Sequence, residues 1–178
     1  MGYAASKRRG ALWEDAHKLN QIIHDFPFNT TGKSEREFET GFSTALMATR
    51  SIFKNKVISQ IDKSSTVRSV FCFGKNHRPD LTINEDGIAL EIKFVEYEGL
   101  KQAIGQGYVY RLRYKFVFLI LIISEERKHV YEAWATGKEK DLEDILSDLS
   151  SRMNIFTYIV PAFNITQPGM KKCLSFFR

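Results

Sequence analysis

The sequence predicts an α/β domain built on a mixed β-sheet, and three observations carry that expectation. Apolar residues recur at helical spacing in four segments, around 11–26, 34–53, 99–113 and 140–153. Residues 116–123 are a continuous apolar run, as a strand buried on both faces should be. Between them, Asp86-Gly87 separates two short runs rich in alternating apolar residues, the signature of a tight hairpin. The length, 178 residues, suits one domain with its own core. Within it, 1–30 reads as a helical N-terminal extension, 34–124 as the central core and 125–178 as a strand–helix–strand completion.

Each element has a local reason. Leu12, Ala16, Leu19, Ile23 and Phe26 share one helical stripe, and Pro27 stops that helix. Asn29 to Lys33 reads as loop. Ser34 with Glu37 three residues on makes a capping box for a second helix, whose inner face is Phe38, Phe42, Ala45, Leu46, Thr49 and Phe53. Val67 to Phe73 is β-branched and aromatic and reads as a strand. Asp80 to Asn84 and Ile88 to Val95 form the hairpin, with both loop positions at positive φ. Leu100, Ile104, Tyr108 and Leu112 mark the next helix, and Lys115 to Ile123 the buried strand. A strand near Val130 to Ala135, a helix from Lys140 to Met153 and a strand from Ile155 to Val160 complete the order.

Composition narrows the function classes. With 43% hydrophobic residues, including 14 Phe, the chain has ample core material and is not a disordered segment. Two cysteines, Cys72 and Cys173, are no disulfide framework and suggest a reduced cytoplasmic protein. The eight-residue run at 116–123 is far short of the ~20 residues a membrane helix needs. Lys7-Arg8-Arg9 has no apolar stretch behind it, so no secretory signal is expected. The net charge of +5 suits a polyanionic partner and equally an ordinary soluble protein. His17, His24, His77 and His129 lack zinc-ligand spacing with the cysteines. Thr31-Gly32-Lys33-Ser34 is only the end of a phosphate-binding loop motif, so no nucleotide cofactor is expected.

The hairpin gathers the chemistry. With Asp86-Gly87 as a two-residue loop, Asn84 faces Ala89, Thr82 faces Glu91 and Asp80 faces Lys93. Asp80 and Glu91 are then diagonal neighbours about 7 Å apart, within reach of a shared cation. Leu81, Ile83, Ile88, Leu90, Ile92 and Phe94 occupy the opposite, wholly apolar face. Two carboxylates beside one ammonium suit metal-assisted phosphodiester cleavage: oxygen ligands hold Mg²⁺, and a lysine orients water or contacts phosphate. The same alternation also suits a solvated strand face with one surface ion pair.

Pro79-Asp80, ten residues, then Glu91-Ile92-Lys93 resembles the signature of the PD-(D/E)xK nuclease superfamily. The resemblance spans about residues 34 to 124, and Glu35-Arg36-Glu37 followed by Phe38 is similar to its Holliday-junction-resolvase branch. It implies a restriction-endonuclease-like core in the order α-β-β-β-α-β and a Mg²⁺-dependent deoxyribonuclease, with Mn²⁺ able to substitute, more an endonuclease than an exonuclease. Asp80, Glu91 and a helical acid would ligate the metal, with Glu35 favoured over Glu39, and Lys93 would position water or phosphate. Gln106 and Tyr110 match the family's Gln-x-x-x-Tyr on the following helix; Gln106 would support the site from near the lysine or a DNA phosphate. Tyr110 and Gln102, the latter one turn before Gln106, would be further DNA contacts, as would His77 and Arg78 before the motif and Arg111 and Arg113 after the helix. DNA is the implied partner, and a homodimer is possible because many relatives pair. Two alternatives stay open: a catalytically inactive nucleic-acid-binding module of the same fold, and a protein-interaction module using Leu174-Ser175-Phe176-Phe177.

Overall fold

Eight consecutive apolar residues cannot face water on either side, and in the computed structural model Phe116–Ile123 is an inner strand buried throughout. The structure describes residues 7–31, 34–60, 66–95, 97–166 and 169–178. Gly32 and Lys33 of the phosphate-loop fragment therefore lie outside the described residues. In chain order the elements are α1 (Ala11–Asp25), α2 (Phe28–Thr31), α3 (Glu35–Ala48), β1 (Val57–Ser59), β2 (Val70–Cys72), β3 (Lys75–His77), β4 (Leu81–Ile83) and β5 (Ile88–Phe94). They continue with α4 (Tyr97–Arg111), β6 (Phe116–Ile123), α5 (Lys128–Ala135), α6 (Lys140–Met153), β7 (Ile155–Pro161) and β8 (Leu174–Phe176).

Six strands form one mixed sheet in the order β1-β4-β5-β6-β7-β8. The β5–β6 and β6–β7 pairs are parallel and the others antiparallel. The two parallel connections need crossovers, which α4 and the α5–α6 pair supply. Side chains alternate between the sheet's faces, so two cores result. One packs Leu81, Ile83, Leu90, Ile92, Phe118 and Phe156 against α1 and α3. The other packs Ala89, Val117, Leu119, Leu121 and Ile155 against α4, α5 and α6. Both cap predictions for α3 hold: Ser34 Oγ accepts from Glu37 N, and Glu37 Oε2 accepts from Ser34 N. Among the described residues no helix is long and apolar enough to cross a membrane.

Several expectations are corrected. Part of the segment read as loop after Pro27 is the short helix α2. The helix α3 ends at Ala48, leaving Thr49 exposed and Phe53 beyond a 3₁₀ turn. Val67–Phe73 supplies only β2, which pairs with the unforeseen β3 in a separate two-stranded ribbon. Val130 to Ala135 is helical, because Tyr131 and Trp134, one turn apart, both bury against the sheet. The C-terminal part is thus helix–helix–strand–strand. Leu174-Ser175-Phe176 is β8 on the edge of the main sheet, and Phe177 stacks on Trp13 at 5.2 Å. That tail is internal packing, so it no longer motivates a protein-interaction reading.

Candidate active site

The hairpin's real loop is four residues, and this rearranges the acids. Observed partners are Leu81↔Leu90, Thr82↔Ala89 and Ile83↔Ile88, a two-residue shift from the register expected of an Asp86-Gly87 loop. Asn84, not Asp86 or Gly87, takes positive φ (63°), and its Oδ1 accepts from Glu85 N. Gly87 answers a spatial need: a Cβ there would sit 2.4 Å from Ile83 O and 2.6 Å from Leu12 Cδ1. Because side chains alternate with period two, a shift of two keeps every residue on its face. Continuing the register past Leu81 sets Asp80 directly opposite Glu91, closer than the diagonal placement expected from the sequence.

Asp80 is held by its Oδ2, which accepts from Ile92 N at 2.8 Å. Among the described residues its Oδ1 accepts no hydrogen bond. Burial and the facing Glu91 charge push the Asp80 carboxyl up to about 8, with Glu39 adding to the rise. Glu91 is 3% exposed, and burial raises its carboxyl too, against the pull of Lys93 and Tyr110. Lys93 Nζ lies 2.8 Å from Glu35 Oε1 and 3.2 Å from Glu91 Oε1. Burial works to lower the Lys93 ammonium, but Glu91, Glu35 and Asp80 outweigh it and hold the group charged. Glu35 Oε2 accepts from Phe94 N at 3.0 Å, so both oxygens of this helical acid are engaged. Glu39, one turn on and half-buried, shares the field of Asp80 and Lys93, and burial raises its carboxyl.

The helix α4 returns antiparallel to β5, and Tyr110 and Gln106 stand one turn apart on it. Tyr110 is buried, and its hydroxyl donates to Glu91 Oε2 at 2.8 Å. It therefore holds Glu91 from within the core, which corrects the expected DNA contact. Gln106, one turn nearer the Lys93 end, has a buried Oε1 without a hydrogen-bond partner among the described residues. Close approach of α4 to the sheet is needed at Gly107, where a Cβ would lie 3.2 Å from Ile155 Cγ2 and Leu119 Cδ1. Gly105 meets nothing within 4 Å.

The expected DNA contacts divide. Arg111 is 7% exposed, and its guanidinium donates to the carbonyls of Met153 and Tyr114, which removes it from the surface. Arg113 donates to Asp86 Oδ1 at 2.6 Å and to Ser69 O. His77 lies 3.2 Å from Cys72 O through Nε2. Gln102 and Arg78 are exposed. Sequence reading missed the β2–β3 ribbon as a neighbour of the motif; its Phe73-Gly74 turn lacks the usual Asn-Gly signature.

Among the described residues no group of three or more His, Cys, Asp or Glu side chains is arranged to hold a metal ion. Magnesium asks for less, since it keeps several waters and takes one or two protein carboxylates. Asp80 and Glu91 fit that donor set: both offer hard oxygens, Asp80 Oδ1 accepts no hydrogen bond among the described residues, and burial with the Glu91 charge already drives Asp80 toward protonation. A cavity of about 370 Å³ lined by Ile23, His24, Phe28, Pro161, Asn164 and Cys173 contains none of these side chains. No protein-family model matches the chain, nor does any curated protein or solved structure.

Proposed function

We propose that the protein is a Mg²⁺-dependent deoxyribonuclease of the PD-(D/E)xK type on a restriction-endonuclease-like fold. One observation carries the reading: Asp80, just before β4, shares its field with Glu91 of β5, and Lys93 bridges Glu91 to the helical Glu35. Asp80 and Glu91 would hold the ion, with Glu35 or Glu39 as the helical acid. A bound Mg²⁺ supplies Lewis-acid stabilisation of a phosphoryl oxygen and a more acidic coordinated water.

The chain's own groups do the rest. Tyr110 fixes the Glu91 carboxylate in one orientation, and Ile92 N–H fixes that of Asp80. Lys93, kept cationic by its three acidic neighbours, donates to the scissile phosphate or to the water attacking it. Glu35 positions that ammonium. Gln106 brings an amide whose oxygen has no partner among the described residues. Water adds to phosphorus, one P–O ester bond breaks, and the leaving oxygen takes up a proton.

The test is cleavage of supercoiled plasmid, linear duplex, branched and single-stranded DNA with Mg²⁺ or Mn²⁺. Cutting of closed circular plasmid that Asp80→Asn and Lys93→Ala each abolish supports an endonuclease. A second reading, a non-catalytic DNA-binding module, is favoured by the closed network in which both Glu35 oxygens are already engaged. Salt-sensitive binding without metal-dependent cutting on any substrate selects it and defeats the nuclease.

A further inference from the structure

Fourteen residues before Asp80 carry no acid. Thr66 to Pro79 contains Arg68, Lys75, Arg78 and His77 against no Asp or Glu, and Phe71 and Phe73 lie within it. This segment folds as the β2–β3 ribbon, outside the main sheet. Its base is fixed: Val70 is buried in the α4-side core, Tyr114 hydroxyl donates to Arg68 O at 2.6 Å, and Arg113 donates to Ser69 O. Its tip is free of the body. Phe71 is 71% exposed and Phe73 is 89% exposed.

The tip conformation sharpens the point. Phe73 (φ 51°) and Gly74 (φ 72°) occupy the two loop positions of the ribbon, a turn in which Asn or Gly is usual at the first position. A phenylalanine there is strained and packs against almost nothing, so no folded-state contact explains it. Lys75 and Arg78 are exposed and form no ion pair among the described residues, whereas Arg68 pairs with Glu85 and Asp86. Phe73 and Asp80 are only seven positions apart in the chain, at most ~24 Å of extended chain, or about seven base-pair rises.

We propose that the β2–β3 ribbon is a base-stacking wedge. Phe73, with Phe71 beside it, stacks on an unpaired base while Lys75 and Arg78 hold the flanking phosphates. The substrate class is thus DNA with a break in its stacking (a fork, branch or single-strand junction), cut near that break by the Asp80 site. The inference rests on the nuclease reading and specifies its substrate. An aromatic face accepts any base, so the wedge selects structure and not sequence.

The test uses the full chain in Ca²⁺ or EDTA, with labelled duplex and a fork of the same sequence carrying 2-aminopurine at the junction. Wild type is expected to favour the fork and to change the 2-aminopurine fluorescence. Phe73→Asn keeps a residue suited to the turn. In it and in Phe71→Ser the fork-to-duplex affinity ratio should fall about 5- to 150-fold, the range for losing one base–aromatic stack. Lys75→Ala should weaken both substrates and flatten the salt dependence. Variants that fold, bind and cut every substrate as wild type does overturn the wedge and leave the nuclease standing. So does a wild type that prefers uninterrupted duplex. A wild type that neither binds nor cuts any DNA overturns both.

Discussion

Asp80→Asn should abolish metal-dependent activity while making the metal-free protein more stable. The substituted amide oxygen can still accept from Ile92 N, so the backbone tie at 2.8 Å is retained and the charge facing Glu91 is removed. An acid raised on folding behaves oppositely to a salt-bridged one. The Asp80 carboxyl moves from 3.8 to about 8, so the folded state binds a proton more tightly than the unfolded state. Stability is full below the unfolded pKa, falls as pH rises through the window between the two values, and stays low above about 8. The slope is at most about 1.4 kcal/mol per pH unit, hence up to ~4 kcal/mol between pH 5 and pH 8. At ~2–4 °C per kcal/mol for a chain of this size, that is a difference of up to ~8–16 °C in melting temperature. Thermal unfolding in EDTA at half-unit pH steps measures it: the wild-type melting temperature should drop relative to Asp80→Asn across the window. Added Mg²⁺ should restore the wild type and leave the variant unmoved. Parallel profiles of the two proteins from pH 5 to 8 would refute the argument that burial and the facing Glu91 raise the Asp80 carboxyl.

Tyr110→Phe deletes the donor to a nearly buried carboxylate, and should cost about 1–3 kcal/mol in urea unfolding and lower Mg²⁺-dependent cleavage. Gly105→Ala should stabilise α4 by about 0.5–1 kcal/mol, since its Cβ meets nothing. Gly107→Ala should destabilise, because the atoms 3.2 Å away are methyls of fully buried β6 and β7 residues with no room to retreat; chemical denaturation of the pair reads the opposite signs. Phe73→Asn should raise stability by about 1 kcal/mol, seen as a higher melting temperature, by relieving a bulky residue at φ 51°.

What is legible in the sequence is what short-range physics decides. The cap at Ser34, the bounds of α6 and the doubly buried β6 each follow from neighbours in sequence, and each matches the structure. The hairpin register does not, because Asn84 competes for the positive-φ position and Gly87 is required by Leu12, seventy-five residues away in the chain. The site face survives the difference through parity alone. A one-residue slip would scatter Asp80, Glu91 and Lys93. The role of Tyr110 has a tertiary cause as well: only the fold shows that the tyrosine one turn after Gln106 points down onto β5. The fate of Val130 to Ala135 and of β8 likewise depends on surfaces presented by distant strands.

A second buried acid shows why the Asp80 cluster is more than packing. Asp15 is wholly buried, yet its oxygens accept from Lys54 N, Asn55 N and Asn55 Nδ2 at 2.8–2.9 Å, with Lys18 Nζ 3.6 Å away. That is how a structural carboxylate is stabilised: donors surround it and its charge is answered. Asp80 and Glu91 have one backbone donor, one tyrosine and one shared lysine between them, with Glu35 and Glu39 adding negative charge nearby. Four carboxylates share one ammonium, Lys93, and only Arg36, acting on Glu39, adds a further positive charge to their field. In a network satisfied like that of Asp15, replacing the acid with a neutral isostere would cost stability, whereas here it would raise it. Carrying the excess negative charge therefore destabilises the metal-free chain, and on the proposed nuclease reading a divalent cation would be the counter-charge that removes the cost. The same substitution, Asp80→Asn, is thus expected to improve folding and to end catalysis, a pairing that a structural ion-pair network would not produce.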